Sequence, residues 1–135
     1  MTFQIGHEGL SNVVILEFEK VWLQILRCAH EKREVSTLDR GIVNRIVSLT
    51  DSAIVVVSEK TKRERSISKK DFQRCWRVLR ENGRLFIPPV HVWNERIIMA
   101  FLAHLPYVEY SLRPLTLYLE PQVTHPLCTT RKKKN

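Results

Sequence analysis

An α+β domain is the fold class this sequence predicts, and three observations carry it. Three stretches repeat their apolar residues with the 3.6-residue period of a half-buried helix. Residues 43–49, 53–58, 107–112 and 115–119 are short runs rich in β-branched, aromatic or leucine side chains. Prolines, Gly83 and Asp51–Ser52 punctuate the joins between them. The predicted order is a long N-terminal helix, a small antiparallel β meander, then helix, helix and β-hairpin. With 135 residues the chain suits one globular domain, expected over residues 1–120, with residues 121–135 as a flexible basic tail.

Ser11 or Asn12 can cap the first helix, expected to run to about residue 31. Val14, Phe18, Val21, Trp22, Ile25, Leu26 and Ala29 hold the helical period, and Ile15, Leu16 and Leu23 widen the apolar side. A face that broad is buried inside the domain or shared with a second copy, which makes a homo-oligomer through helix 12–31 the sharper alternative. Glu17, Glu19, Lys20 and Arg27 interrupt the run, so no membrane span is expected.

Residues 32–41 read as a polar connector with only Val35 and Leu38 as large apolar groups. Strands 43–49 and 53–58 then form a hairpin about Asp51–Ser52, and a turn at 59–62 leads to an edge strand, 63–67. Alternation there would put Arg63 and Arg65 on one face. Ser68 is the N-cap of the next helix, with Asp71 in its first turn; Phe72, Cys75, Trp76 and Leu79 form its buried stripe, and Gly83 follows as the left-handed stop. Pro88–Pro89 hold the chain extended before a third helix over 92–105, ended by Pro106. The hairpin 107–119 turns at Arg113–Pro114.

Charge is the strongest functional signal. Residues 60–84 hold ten Lys or Arg against three acids, a net of +7; Arg131 to Lys134 add +4, so the rest of a +8 chain sums to −3. Localised cations of this kind mark a polyanion-binding surface. Candidate nucleic-acid contacts are Lys60, Lys62, Arg63 and Arg65 from loop and edge strand, Lys69, Lys70, Arg74, Arg77 and Arg84 from the helix and its end, and Arg113 from the hairpin turn. Double-stranded DNA, gripped through its phosphates, is the expected partner; an acidic protein docked by an interaction subunit is the alternative.

Helix, extended piece, helix and hairpin over residues 68–119 follow the plan of a winged helix-turn-helix, in which the second helix enters the major groove. In this chain the first helix is the basic one, so the usual roles would be altered. From Asn44–Arg45–Ile46 through SEKTKRERSISKKDF and RVLRENGRL to FLAHLPYVEYSLRPLTLYL, the sequence resembles accessory, winged-helix-like DNA-binding domains of prokaryotic restriction-type and helicase-associated proteins. That resemblance spans about residues 40–120 and implies DNA binding.

Signals for an enzyme are weak. Asp51, Glu59, Lys60 and Lys62 supply the residue types of a Mg²⁺-dependent nuclease, but no acid stands two residues before a suitable lysine. His7, His30, His91, His104 and His125 are scattered, so no metal site is expected; no glycine-rich phosphate loop or serine elbow exists, and no cofactor is implied. Cys28, Cys75 and Cys128 are odd in number and far apart, which suits a reducing, cytoplasmic setting.

Overall fold

The computed structural model describes residues 7–86 and 94–119, and the side chains of the first helix from residue 17 onward. The tail expected over 121–135, the stop at Pro88–Pro89, and the expected start of the third helix at 92 lie outside them. The fold is α+β. Helix α1 (His7–Lys32) is followed by strands β1 (Glu34–Ser36), β2 (Val43–Leu49), β3 (Ala53–Ser58) and β4 (Glu64–Ser68), helix α2 (Lys69–Asn82), β5 (Arg84–Phe86), helix α3 (Glu95–Leu102), β6 (Val108–Ser111) and β7 (Thr116–Leu119). β1 to β4 form an antiparallel meander in sequence order, and a second sheet has the order β5-β7-β6.

Local chemistry explains most boundaries. Ser68 caps α2 by accepting the Asp71 N–H at 3.1 Å, and Gly83 closes it at φ 79° with its N–H on the Leu79 carbonyl. The β2–β3 turn is fixed by the Thr50 hydroxyl, which accepts the N–H groups of Ser52 and Ala53. In the β3–β4 turn the Ser58 hydroxyl accepts from Lys60 and Thr61, and that of Thr61 from Arg63. That turn also holds Lys62 at φ 63°, a left-handed conformation with a local cost for a residue carrying a Cβ.

Three features depart from the sequence reading. Strand β1 sits inside the expected connector: α1 stops at Arg33 (φ 66°), whose N–H reaches the Ala29 carbonyl, and the chain then pairs with β2 through Val35 opposite Asn44. A three-residue strand with one apolar side chain is too short for period-two patterning to reveal. Next, β4 begins at Glu64, leaving Arg63 in the turn. Arg65 pairs opposite Val56 and remains exposed. Finally, α3 ends at Leu102; residues 103–107 are successive turns whose N–H groups at His104 and Leu105 bond the carbonyls of Phe101 and Leu102.

A single core joins all the elements. Ile54, Val56 and Ile67 from the meander meet Phe18, Trp22 and Ile25 of α1, the α2 stripe, Ile98 and Phe101 of α3, and Leu117 of β7. Phe72 stands at the junction, tilted against Trp22 at 5.2 Å and edge-on to Phe101 at 5.6 Å between ring centroids. Trp22 also donates its indole N–H to the Asp51 carbonyl at 3.1 Å, tying α1 to the β2–β3 turn. Leu23, by contrast, is 61% exposed, so the widened apolar side of α1 is not all buried. None of the helices among the described residues is long and apolar enough to cross a membrane.

Candidate nucleic-acid interface

The ten candidate cations, together with Arg80 of the same helix, fall into four groups. On α2, Lys70, Arg74, Arg77 and Glu81 follow a four, three, four spacing opposite the buried Phe72, Cys75, Trp76 and Leu79, and the first three form a cationic stripe in solvent. The stripe rises about 10 Å along the helix axis from Lys70 to Arg77, a length over which duplex DNA carries about six phosphate charges. Arg74 bonds Asp71 one turn back at 3.1 Å, an exposed pair that competes weakly with a phosphate.

The second group is already partnered within the molecule. Lys69 meets both carboxylate oxygens of Glu19, the nearer at 2.9 Å, and its side chain is only 29% exposed. Arg80 likewise holds Glu17 at 3.0 Å. These pairs fasten α2 to α1 and lower the net charge that the helix shows to solvent. Arg65 joins this group, because one of its terminal nitrogens donates to the Asn94 side-chain oxygen at 3.2 Å, at the start of α3.

The third group is the β3–β4 turn. Lys60, Lys62 and Arg63 are exposed there; Glu59 draws on Lys62 at 3.7 Å and on Arg45 at 3.4 Å. The turn is separated from α2 by the five residues of β4, roughly 17 Å of strand, so the ten cations do not make one patch. The fourth group is Arg84, two residues beyond the α2 C-terminus, and Arg113 in the β6–β7 turn, both exposed on the second sheet.

Nuclease geometry is not assembled. Asp51 and Glu59 lie at opposite ends of β3, about 20 Å apart along a six-residue strand. Among the described residues no group of three or more His, Cys, Asp or Glu is placed to hold a metal ion. Cys75 is buried, and that burial, with Glu95 and Asp71 nearby, pushes its thiol up to about 12, so it offers no thiolate at neutral pH.

The winged-helix plan meets a physical obstacle at α3. Ile97, Ile98, Met99, Ala100, Phe101 and Leu102 are all buried, so over those residues α3 is a core helix that cannot enter a groove. The order of elements here is α2, β5, α3, β6 and β7, with β5 paired to β7. No family model, curated protein or solved structure matches the chain.

The aromatic side chains divide sharply. Trp76 is buried edge-on to Tyr107, and the Tyr107 hydroxyl donates to the Gln24 side-chain oxygen. Phe86, which the sequence reading passed over, is exposed. Its signal was the alternation Arg84-x-Phe86, which puts both on one face once residues 84–86 are known to be a strand.

His104 gives the interior a pH dependence. Burial, then the nearby Lys32 ammonium, lowers its pKa below the usual 6.5, and its Nδ1 has no hydrogen-bond partner among the described residues. The unfolded chain therefore takes up a proton before the folded one, and stability falls as pH drops below about 6.5. Urea midpoints measured from pH 7.5 down to pH 5 are expected to decline less in His104→Leu than in the parent; equal declines would remove His104 as a source.

Proposed function

We propose that this domain binds double-stranded DNA through its backbone phosphates, with α2 as the contact helix. The observation that carries the reading is the stripe Lys70, Arg74, Arg77, which the fold turns to solvent while Lys69 and Arg80 are spent on α1. Arg84 extends the cationic surface beyond the helix end, and Lys60, Lys62 and Arg63 offer a second point of attachment. Contacts of this type position a duplex without reading its sequence. The reading has no catalytic residue, metal or cofactor.

Four phosphates met by Lys70, Arg74, Arg77 and Arg84 would make log K fall with log salt at a slope of about −3.6 on B-DNA. Anisotropy titrations of a labelled duplex over a salt series measure this slope. A flat dependence, or displacement of the duplex only by acidic protein, would transfer the site to the protein-interaction alternative.

A further inference from the structure

Two aromatic side chains stand in solvent on the β5-β7-β6 sheet: Phe86 is 48% exposed and Tyr118 36%. Rings of that size normally contribute to a core. Here Leu85, Leu117 and Val108, on the other face, do so instead. In the ladder, Arg84 lies opposite Tyr118 and Phe86 opposite Thr116, which makes Phe86 and Tyr118 diagonal neighbours on one face, their backbones about 7–8 Å apart. Exposed Arg84 flanks Tyr118 in its row, and exposed Arg113 sits in the turn before Thr116. A cation therefore stands near each end of the ring pair. The acid of this face, Glu109, is across from Tyr118 on β6, which leaves the β5–β7 half as the cationic side.

We infer that this face is a stacking platform for unpaired nucleotides, a property that rests on the nucleic-acid reading above and extends it. Phe86 and Tyr118 each accept the flat face of a base, and Arg84 and Arg113 hold the connecting phosphates. Base stacking suits an open, shallow surface because a π-face needs no enclosing pocket, and it tolerates any base. An apolar protein partner would have to desolvate Arg84 in order to cover Tyr118; a polyanionic strand neutralises it. Gly83 alone separates Arg84 from α2, so the platform continues the cationic surface of the duplex-binding helix. It would take a single strand leaving the duplex.

The test compares a blunt duplex with the same duplex carrying an oligo-dT extension. The parent protein is expected to bind the tailed form about tenfold or more tightly, given what stacking on an aromatic ring contributes per base. Phe86→Leu with Tyr118→Leu keeps apolar bulk but removes both π-faces, and should erase that preference while leaving blunt-duplex affinity unchanged. Phe86→Tyr with Tyr118→Phe keeps both rings and should retain it. As a check that depends on no loss of function, Phe86→Trp should show quenched emission on addition of oligo-dT. Absence of a tail preference in the parent, its survival in the leucine pair, or unchanged tryptophan emission each overturns the inference. Blunt-duplex binding that persists in those cases leaves the duplex reading standing; no binding to either form overturns both.

Discussion

Arg74→Glu combined with Arg77→Glu is expected to weaken duplex binding by about 100-fold or more, while the protein remains folded. Each arginine, when it meets a phosphate, makes a charge-assisted contact of roughly 1.5–3 kcal/mol. Losing two such contacts is therefore worth at least two factors of ten, and the new carboxylates repel the backbone besides. The fold should not register the change strongly. Both residues are exposed on the side of α2 opposite its buried stripe, and the helix keeps its Ser68 cap and Gly83 stop. Reversal at 74 brings Glu into i,i+4 register with Lys70 and at 77 with Glu81; such pairs differ by only about 0.2–0.5 kcal/mol. Arg77→Gln and Arg80→Gln form a matched pair of controls. Each removes one positive charge from the same helix, but that of Arg80 is already committed to Glu17, so Arg77→Gln should cost about tenfold in duplex affinity and Arg80→Gln less than about threefold. Fluorescence anisotropy at fixed salt distinguishes the outcomes. Equal losses in Arg80→Gln and in Arg77→Gln would mean that total charge, not the solvent-facing stripe, governs binding.

Phe72→Ala is expected to have the largest effect on stability, about 3–5 kcal/mol, the range for truncating a fully buried aromatic side chain. Phe72 has no exposed surface and touches the rings of Trp22 and Phe101, so its loss opens a cavity shared by α1, α2 and α3. Domains of ordinary stability have about 5–15 kcal/mol in total, so the variant would be left near its margin. Leu23→Ala, at a residue standing largely in solvent, should stay within about 0.5 kcal/mol. Urea denaturation with both variants checks the pair. A loss below about 1 kcal/mol for Phe72→Ala would mean that the three helices do not meet at this ring.

What the sequence disclosed was whatever local chemistry determines. Helix α2 could be read from end to end, because Ser68, the Phe72–Cys75–Trp76–Leu79 spacing and Gly83 all act within a few residues of themselves. The β2–β3 hairpin was equally plain, since β-branched runs flank a turn whose Thr50, Asp51 and Ser52 are adjacent in sequence. Strand β1 escaped because its partner, β2, and not its own composition, makes it a strand. The pairing of β5 with β7 depends on chain closure across more than thirty residues and leaves no local trace. The candidate surface suffered from the same limit. Ten cations in a row look equivalent on paper. Glu19 and Glu17, 50 and 63 residues away from Lys69 and Arg80, decide which of them are already paired. Arg63 differs for another reason: the strand begins one residue later than expected and leaves it outside.

The salt dependence of duplex affinity in a charge-neutralised variant tests the α2 contact most directly. Lys70→Gln with Arg77→Gln removes two phosphate contacts without adding repulsion. The slope of log K against log salt should therefore become shallower by about 1.8 than in the parent protein. Parallel slopes for the two proteins would contradict the claim that the exposed stripe of α2 is where phosphate is held.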